Sequence, residues 1–272
     1  MGLCLLIIGL VPRVVAATES RPRIAQLFIT LADSATQGPA PTQAKPDNGN
    51  DLENNRFWGG RYGVRTLLMK HPDWELVGRE RAPQTHVLER LIFRHRQRYI
   101  YLVVDAYRGS VARTALSEFL NTSAGARPLL LRVGNSSVSI QAGSASDLFV
   151  YLGHNAIAAE DKDLDLPMHV DATLRPVVML TDSSLASFEP YLQTAGATLL
   201  LGTTGVMSPE GYLVVAFLEG WVRGETAPTL HMRVAQAYAR YQRCSVAIAE
   251  RLFWMTPEAA TVATHQAQPH NP

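Results

Sequence analysis

Short apolar runs that stop abruptly at a polar residue recur along the chain and set its layout. Residues 24–32, 99–104, 148–152, 175–180 and 198–201 are near-continuous apolar segments, the pattern of strands buried on both faces of a parallel sheet. Each leads to a polar position: Asp33, Asp105, His154, Asp182, and the pair Thr203 and Thr204. Between these runs the spacing turns helical. Phe57, Tyr62, Val64, Leu67 and Leu68 share one face of a predicted helix that stops at His71-Pro72. Ser110 is the expected cap of a helix through Ala115, Leu116, Phe119 and Leu120 to Gly125. A helix over about 188–194 closes at Gly196. Pro190 is expected in its first turn, which leaves 182–187 as loop. Ser208-Pro209-Glu210 reads as the start of a helix to about Arg223, and Pro228 opens a last long helix through Phe253.

Three stretches read differently. Residues 74–79 and 87–93 mix apolar and charged positions at spacings that fit strand or helix. Residues 129–133 and 138–141 flank Gly134-Asn135-Ser136 and predict a hairpin. Residues 34–54, rich in Pro, Gly, Asn and Asp, predict a long surface loop, and the acidic 160–163 a solvated one. The alternation of strands and helices predicts a single α/β domain over 24–256. Its expected form is a three-layer sandwich, with helices on both faces of a mostly parallel sheet and a hairpin insertion. Residues 257–272 are expected to be a disordered polar tail.

Composition narrows the partners. With 25 basic against 24 acidic residues and a net charge of +1, the chain lacks the electrostatic footprint that nucleic acid or an anionic membrane surface requires. Residues 3–11 are apolar and Val14-Val15-Ala16-Ala17 offers small residues for cleavage, so 1–17 is expected to be a signal peptide and the protein exported, periplasmic or secreted. That stretch is shorter than the roughly 20 residues a bilayer span needs, so no stable membrane span is expected after its removal. Cys4 lies inside it, which leaves Cys244 alone and excludes an internal disulfide.

In a parallel sheet the residues just past each strand gather on one rim, so Asp33, Asp105, His154, Asp182, Thr203 and Thr204 are candidate site residues. Carboxylates and threonines there also cap helices, and capping alone accounts for Asp105 and Thr203. His154 follows an apolar run and a glycine, where the chain turns out of the sheet, and its imidazole suits acid–base work. A satisfied structural histidine is the alternative.

From the strand at 99–105, through the helix at 110–120, to Ser146-Asp147-Leu148-Phe149-Val150-Tyr151-Leu152-Gly153-His154, the chain resembles the caspase-like cysteine peptidases, metacaspases in particular. The resemblance covers about 24–205. It implies strand order 2-1-3-4-5-6, a cleft at the carboxyl edge of the sheet, and a catalytic histidine at His154. Two positions depart from the pattern. Asn155 stands where the group has a glycine whose N–H helps hold the oxyanion, and Asp182 stands at the position of the nucleophilic cysteine. Acyl transfer by that route needs a thiolate, so cysteine peptidase activity is not expected.

Ser183 and Ser184 follow Asp182, and a serine beside a histidine and a carboxylate is a workable hydrolase constellation. No Gly-x-Ser-x-Gly surrounds either serine. There is no His-Glu-x-x-His, Cys-x-x-Cys, phosphate-loop lysine motif or Gly-x-Gly-x-x-Gly after a strand, so neither metal nor cofactor is expected. Gly59, Gly60 and Gly63 beside Arg61 suggest either an anion site or close helix packing. Phe57 and Trp58, next to the long loop, are candidates to line the cleft mouth, with core packing the default for at least one. Three readings follow: an exported caspase-like protein with a degenerate peptidase site that binds a peptide or protein, an active hydrolase using His154 with Ser183 or Asp182, or a non-enzymatic partner subunit docking through its C-terminal helices.

Overall fold

Strand β1 (Arg23–Thr30) is buried along nearly its whole length because strands flank it on both sides and layers cover both its faces. The computed structural model describes residues 21–37, 46–157 and 169–256. The expected signal segment, the acidic stretch 160–163 and the tail 257–272 lie outside the described residues.

After β1 the chain forms α1 (Ser34–Gln37), α2 (Val64–Lys70), β2 (Trp74–Gln84), β3 (Val87–His95), β4 (Ile100–Tyr107) and α3 (Ala112–Ser123). Then come β5 (Pro128–Arg132), β6 (Ser139–Gly143), β7 (Leu148–Leu152), β8 (Arg175–Leu180), α4 (Ser184–Thr194) and β9 (Ala197–Thr203). The chain closes with α5 (Gly211–Arg223), α6 (Ala227–Gln242), α7 (Val246–Leu252) and β10 (Phe253–Met255). The main sheet has 8 strands in the order β10-β9-β8-β7-β1-β4-β3-β2, and β5 with β6 forms the separate hairpin. The strands β9, β8, β7, β1 and β4 are parallel, while the border pairings β10 with β9, β3 with β4 and β2 with β3 are antiparallel. With β2 and β3 set aside, the remaining order β4-β1-β7-β8-β9-β10 is 2-1-3-4-5-6.

Alternation along each strand divides the core. Ala25, Leu27, Ile29, Leu102, Val104, Val150 and Val178 face α2, α5 and α6, where Trp58, Leu68, Leu213, Phe217 and Val234 close the layer. Phe28, Tyr107, Phe149, Tyr151 and Met179 face α3 and α4 through Phe119, Leu120 and Phe188. The hairpin packs on that second face further toward the amino edge, with Leu131 and Ile140 against Ile24, Ile92 and Val103. The result is an α/β fold compatible with a three-layer sandwich. Among the described residues, no helix is long and apolar enough to cross a membrane.

Several elements differ from the sequence expectation, each for a visible reason. The helix expected from Phe57 begins only at Val64. Asn55 holds 55–63 in turns by accepting the Phe57 and Ala32 N–H groups, and a Cβ on Gly63 would lie 2.2 Å from the Trp58 carbonyl oxygen. That contact also gives the glycine cluster its role as close packing. Residues 74–79 and 87–93 are an antiparallel pair, β2 and β3. Ser110 caps nothing: it lies in a 3-10 turn over Gly109–Val111, and α3 begins without a side-chain cap.

Pro190 sits inside α4, which starts at Ser184. Both Pro190 and Ala186, whose carbonyl loses its helical partner, are exposed, so that carbonyl faces solvent. Helix α5 starts at Gly211, after the Ser208-Pro209-Glu210 signal, because Glu210 is extended and the Gly211 N–H is held by the Tyr62 carbonyl at 2.8 Å. The last long helix is two helices and a strand. Arg243 adopts a left-handed conformation, Ser245 caps α7, and the chain then pairs with β9 as β10.

Candidate functional site

Strands β7 and β8 are parallel neighbours in which Leu152 is paired with Leu180, so His154 and Asp182 each follow two residues past a matched pair of strand ends. Register alone therefore brings both to the carboxyl rim. Gly153 lets the chain turn there: a Cβ on it would lie 2.9 Å from the Thr30 Cβ and 3.2 Å from the Tyr151 hydroxyl. That hydroxyl donates to the His154 carbonyl at 3.0 Å and fixes the backbone after the turn. Burial pushes the Tyr151 phenol up to about 12, so it stays a donor across the accessible pH range.

The His154 ring is half-buried, and its nitrogens make no hydrogen bond to the described residues. Burial lowers its proton affinity, and the Asp182 carboxylate, acting through space, partly restores it. The carboxylate itself is anchored, with Oδ1 accepting the Met207 N–H at 2.7 Å. Asn155 is buried and joins the two strand ends by donating from Nδ2 to the Asp182 carbonyl at 2.8 Å and to the Ser187 hydroxyl at 3.0 Å. Its amide thus takes up the space and the hydrogen-bonding capacity of this turn.

Ser183 follows with φ 50 and ψ 36, a left-handed residue on the strand-to-helix turn, and its N–H is bonded to the Gly205 carbonyl at 3.0 Å. Ser184 turns inward. Its hydroxyl donates to the Met179 carbonyl at 3.0 Å and accepts the Thr203 N–H at 2.8 Å. Thr203 accepts the Ser184 N–H at 3.1 Å and donates to the Thr181 carbonyl, which stitches β9 to the head of α4. Thr204 donates to the Arg251 carbonyl at 2.8 Å and ties β9 to the end of α7. Both threonines serve the frame that holds the rim.

Four other candidates have structural roles of their own. Asp33 caps α1, accepting the Ala35 N–H at 3.2 Å and the Thr36 hydroxyl at 3.2 Å. Asp105 is not past a strand end: β4 runs on to Tyr107, and the carboxylate is fully buried in mid-strand against Arg90 at 2.6 Å. Burial raises Asp105 and the guanidinium opposes that rise. Phe57 and Trp58 belong to the core, not to a cleft mouth, at 2% and 0% exposure. The Trp58 indole donates to the equally buried Glu89 at 2.9 Å, which lets its N–H enter the core satisfied.

The rim also contains residues that the sequence pattern does not single out. Met207 holds Asp182 through its backbone, and a backbone donor carries no side-chain signal. Tyr238, on α6, accepts the Ser208 N–H at 3.4 Å, and burial raises its phenol with Asp182, Glu210 and Cys244 adding to the effect. It reaches this edge from more than 50 residues away in sequence, measured from Asp182. The hydrolase reading would draw on His154, Asp182 and the half-buried turn of Ser183. The position beside the histidine carries a carboxylate held by the Met207 N–H, and the described residues hold no group of three or more His, Cys, Asp or Glu that could bind a metal ion. No family model, curated protein or solved structure matches this chain.

Proposed function

We propose that the protein is an exported caspase-like α/β protein that binds a peptide or protein segment at the carboxyl edge of its sheet and does not cleave it. One observation carries this reading: Asp182, at the position the resemblance assigns to the nucleophile, is anchored by the Met207 N–H, while the neighbouring His154 ring feels its charge but makes no hydrogen bond to the described residues. A half-buried neutral imidazole at a rim offers one donor and one acceptor, which suits the peptide backbone. Val206, 80% exposed beside Met207, adds an apolar contact at the same lip. The 2-1-3-4-5-6 order of the core strands supports the caspase-like reading, and the N-terminal apolar stretch supports export.

The test is a peptide array probed with the full chain, with His154→Ala as control. The reading expects retention of extended peptides, loss of retention in the variant with its circular dichroism unchanged, and intact peptides on elution. Cleaved peptides would overturn it. The hydrolase reading draws on one feature, the left-handed Ser183 on a strand-to-helix turn, and predicts labelling by a fluorophosphonate that Ser183→Ala abolishes.

A further inference from the structure

On the face of the sheet that carries α3 and the β5–β6 hairpin, three neighbouring strands each contribute one buried polar side chain to a row that is otherwise apolar. These are Gln26 on β1, Asp105 on β4 and Arg90 on β3, exposed by 4%, 0% and 4%. The row separates the aromatic cluster under α3 from the aliphatic cluster under the hairpin. It floors a cavity of about 80 Å³ whose walls include Glu118 on α3 and Arg127 at the foot of the hairpin.

A buried ion pair adds little to stability against a well-packed apolar alternative, so its presence beneath a cavity calls for a use. Arg90 gives Nε and Nη2 to Asp105 at 2.6 and 3.0 Å. Its Nη1 makes no hydrogen bond to the described residues, and the Glu80 carboxylate stands 3.9 Å away. Gln26 accepts the Gly143 N–H at 2.9 Å, but its own Nε2 reaches Asp105 only at 3.5 Å. The floor therefore presents two weakly engaged N–H donors, Arg90 Nη1 in a long ion pair with Glu80 and Gln26 Nε2 in a long hydrogen bond to Asp105. On the wall, Glu118 accepts the Tyr107 hydroxyl at 2.8 Å and pairs with Arg127 at 3.3 Å, which leaves carboxylate lone pairs for a donor.

Charge decides the class of occupant. Arg90 balances Asp105 and Arg127 balances Glu118, so no net charge within the walls would compensate a charged ligand. Glu80 disfavours an anion beside Arg90, and the Arg90 N–H groups disfavour a cation. We propose that this cavity binds a small uncharged carboxamide, its carbonyl oxygen accepting from Arg90 Nη1 and its amino group donating to Glu118. The volume accommodates a few waters or one such molecule. The site lies in mid-sheet, away from the rim of His154.

Three probes of nearly the same shape that differ in charge and in donor–acceptor pattern test this on the full chain: acetamide, acetate and acetamidinium, followed by amide chemical shifts. So few heavy atoms bind only in the millimolar range. The expected result is a saturable acetamide response at the amides of Gln26, Asp105 and Gly143, with weaker responses to both charged probes. Arg90→Lys is expected to weaken acetamide about tenfold, the loss of a hydrogen bond from a charged donor. Gln84→Trp, a change at an exposed position on the cavity mouth, is expected to block entry without touching the buried pair, which keeps the test valid if Arg90→Lys does not fold. A cavity that holds water only, seen as no saturable response to acetamide, overturns the proposal. So does tighter binding of acetate or acetamidinium, or an acetamide response untouched by Gln84→Trp.

Discussion

The side-chain amide of Asn155 donates to the backbone carbonyl of Asp182 at 2.8 Å, so the turn after β7 and the turn after β8 are one hydrogen-bonded unit. The same Nδ2 reaches the Ser187 hydroxyl, and Oδ1 accepts the Ile157 N–H at 3.2 Å. Truncation would leave a largely buried carbonyl without its donor. Asn155→Ala is expected to cost about 1–3 kcal/mol in urea unfolding, and a change below a few tenths would mean that the two turns are held by other contacts.

The coupling of His154 to Asp182 is measurable by proton NMR titration. His154 is expected to titrate below its ordinary 6.5 because burial disfavours the imidazolium. Asp182→Asn removes the one charge that opposes this and should lower the value further. The folded value lies below the unfolded one, so the contribution of His154 to stability is present above pH 6.5 and is lost as pH falls through the folded value. His154→Gln should flatten that part of the stability profile. An unchanged titration in Asp182→Asn would show that the carboxylate does not act on the ring.

Gly153→Ala places a methyl group 2.9 Å from the Thr30 Cβ, in a turn with strand β1 directly behind it. The expected loss is about 1–3 kcal/mol from overpacking, with weakened peptide retention as His154 is displaced. Wild-type stability in this variant would mean that the turn shifts freely and that its geometry does not position the histidine.

Ser183 tests binding against hydrolysis through stability as well as labelling. Its left-handed conformation costs an L-residue about 1–2 kcal/mol, so Ser183→Gly should be neutral or stabilise by up to about 1 kcal/mol, and Ser183→Val should destabilise by a similar amount or more. Under the binding reading Ser183→Gly keeps its peptide ligands. Loss of a measurable turnover in that variant would favour the hydrolase.

An acid-sensitive contact ties α2 to α5. His71 accepts the Asp73 N–H at Nδ1, so its proton sits on Nε2 and is donated to Glu219 at 3.1 Å. That hydrogen bond is the largest cause holding Glu219 below its ordinary 4.5, with Arg233 and Arg223 adding to it. A carboxylate lowered by folding contributes stability above pH 4.5 that is lost as pH falls through the folded value. Chemical denaturation from pH 6 to pH 3 should therefore show a shallower decline for Glu219→Gln than for the wild type.

Much of the sheet is legible in the sequence because parallel strands buried on both faces leave unbroken apolar runs, and 148–152 and 175–180 carry that signal in full. The same signal places His154 and Asp182 side by side. It misplaces Asp105, because a buried arginine on β3 lets an acidic residue sit inside a strand, and the partner that makes this tolerable is 15 residues away. Strands β2 and β3 are ambiguous because one border of the sheet meets water and charged side chains are admitted there. Sequence leaves Trp58 open between cleft mouth and core, and its burial rests on the partner Glu89, 31 residues away. The break at Arg243 rests on a single left-handed residue, which no periodicity announces. The expected Ser208 cap fails because the Gly211 N–H, which it would have to bind, is claimed by a tertiary acceptor, the Tyr62 carbonyl.

Strand β2 forms one outer border of the main sheet, with register slips between Leu76 and Gly78 and between Arg81 and Gln84, and with Ala82 at φ 45. A straight, uncharged border would invite a strand from another molecule to dock and would seed fibrous association. Here the irregular pairing, Pro83, and the run Arg79-Glu80-Arg81 deny an incoming chain any continuous ladder. The irregular margin thus works against edge-to-edge pairing at this border of the sheet.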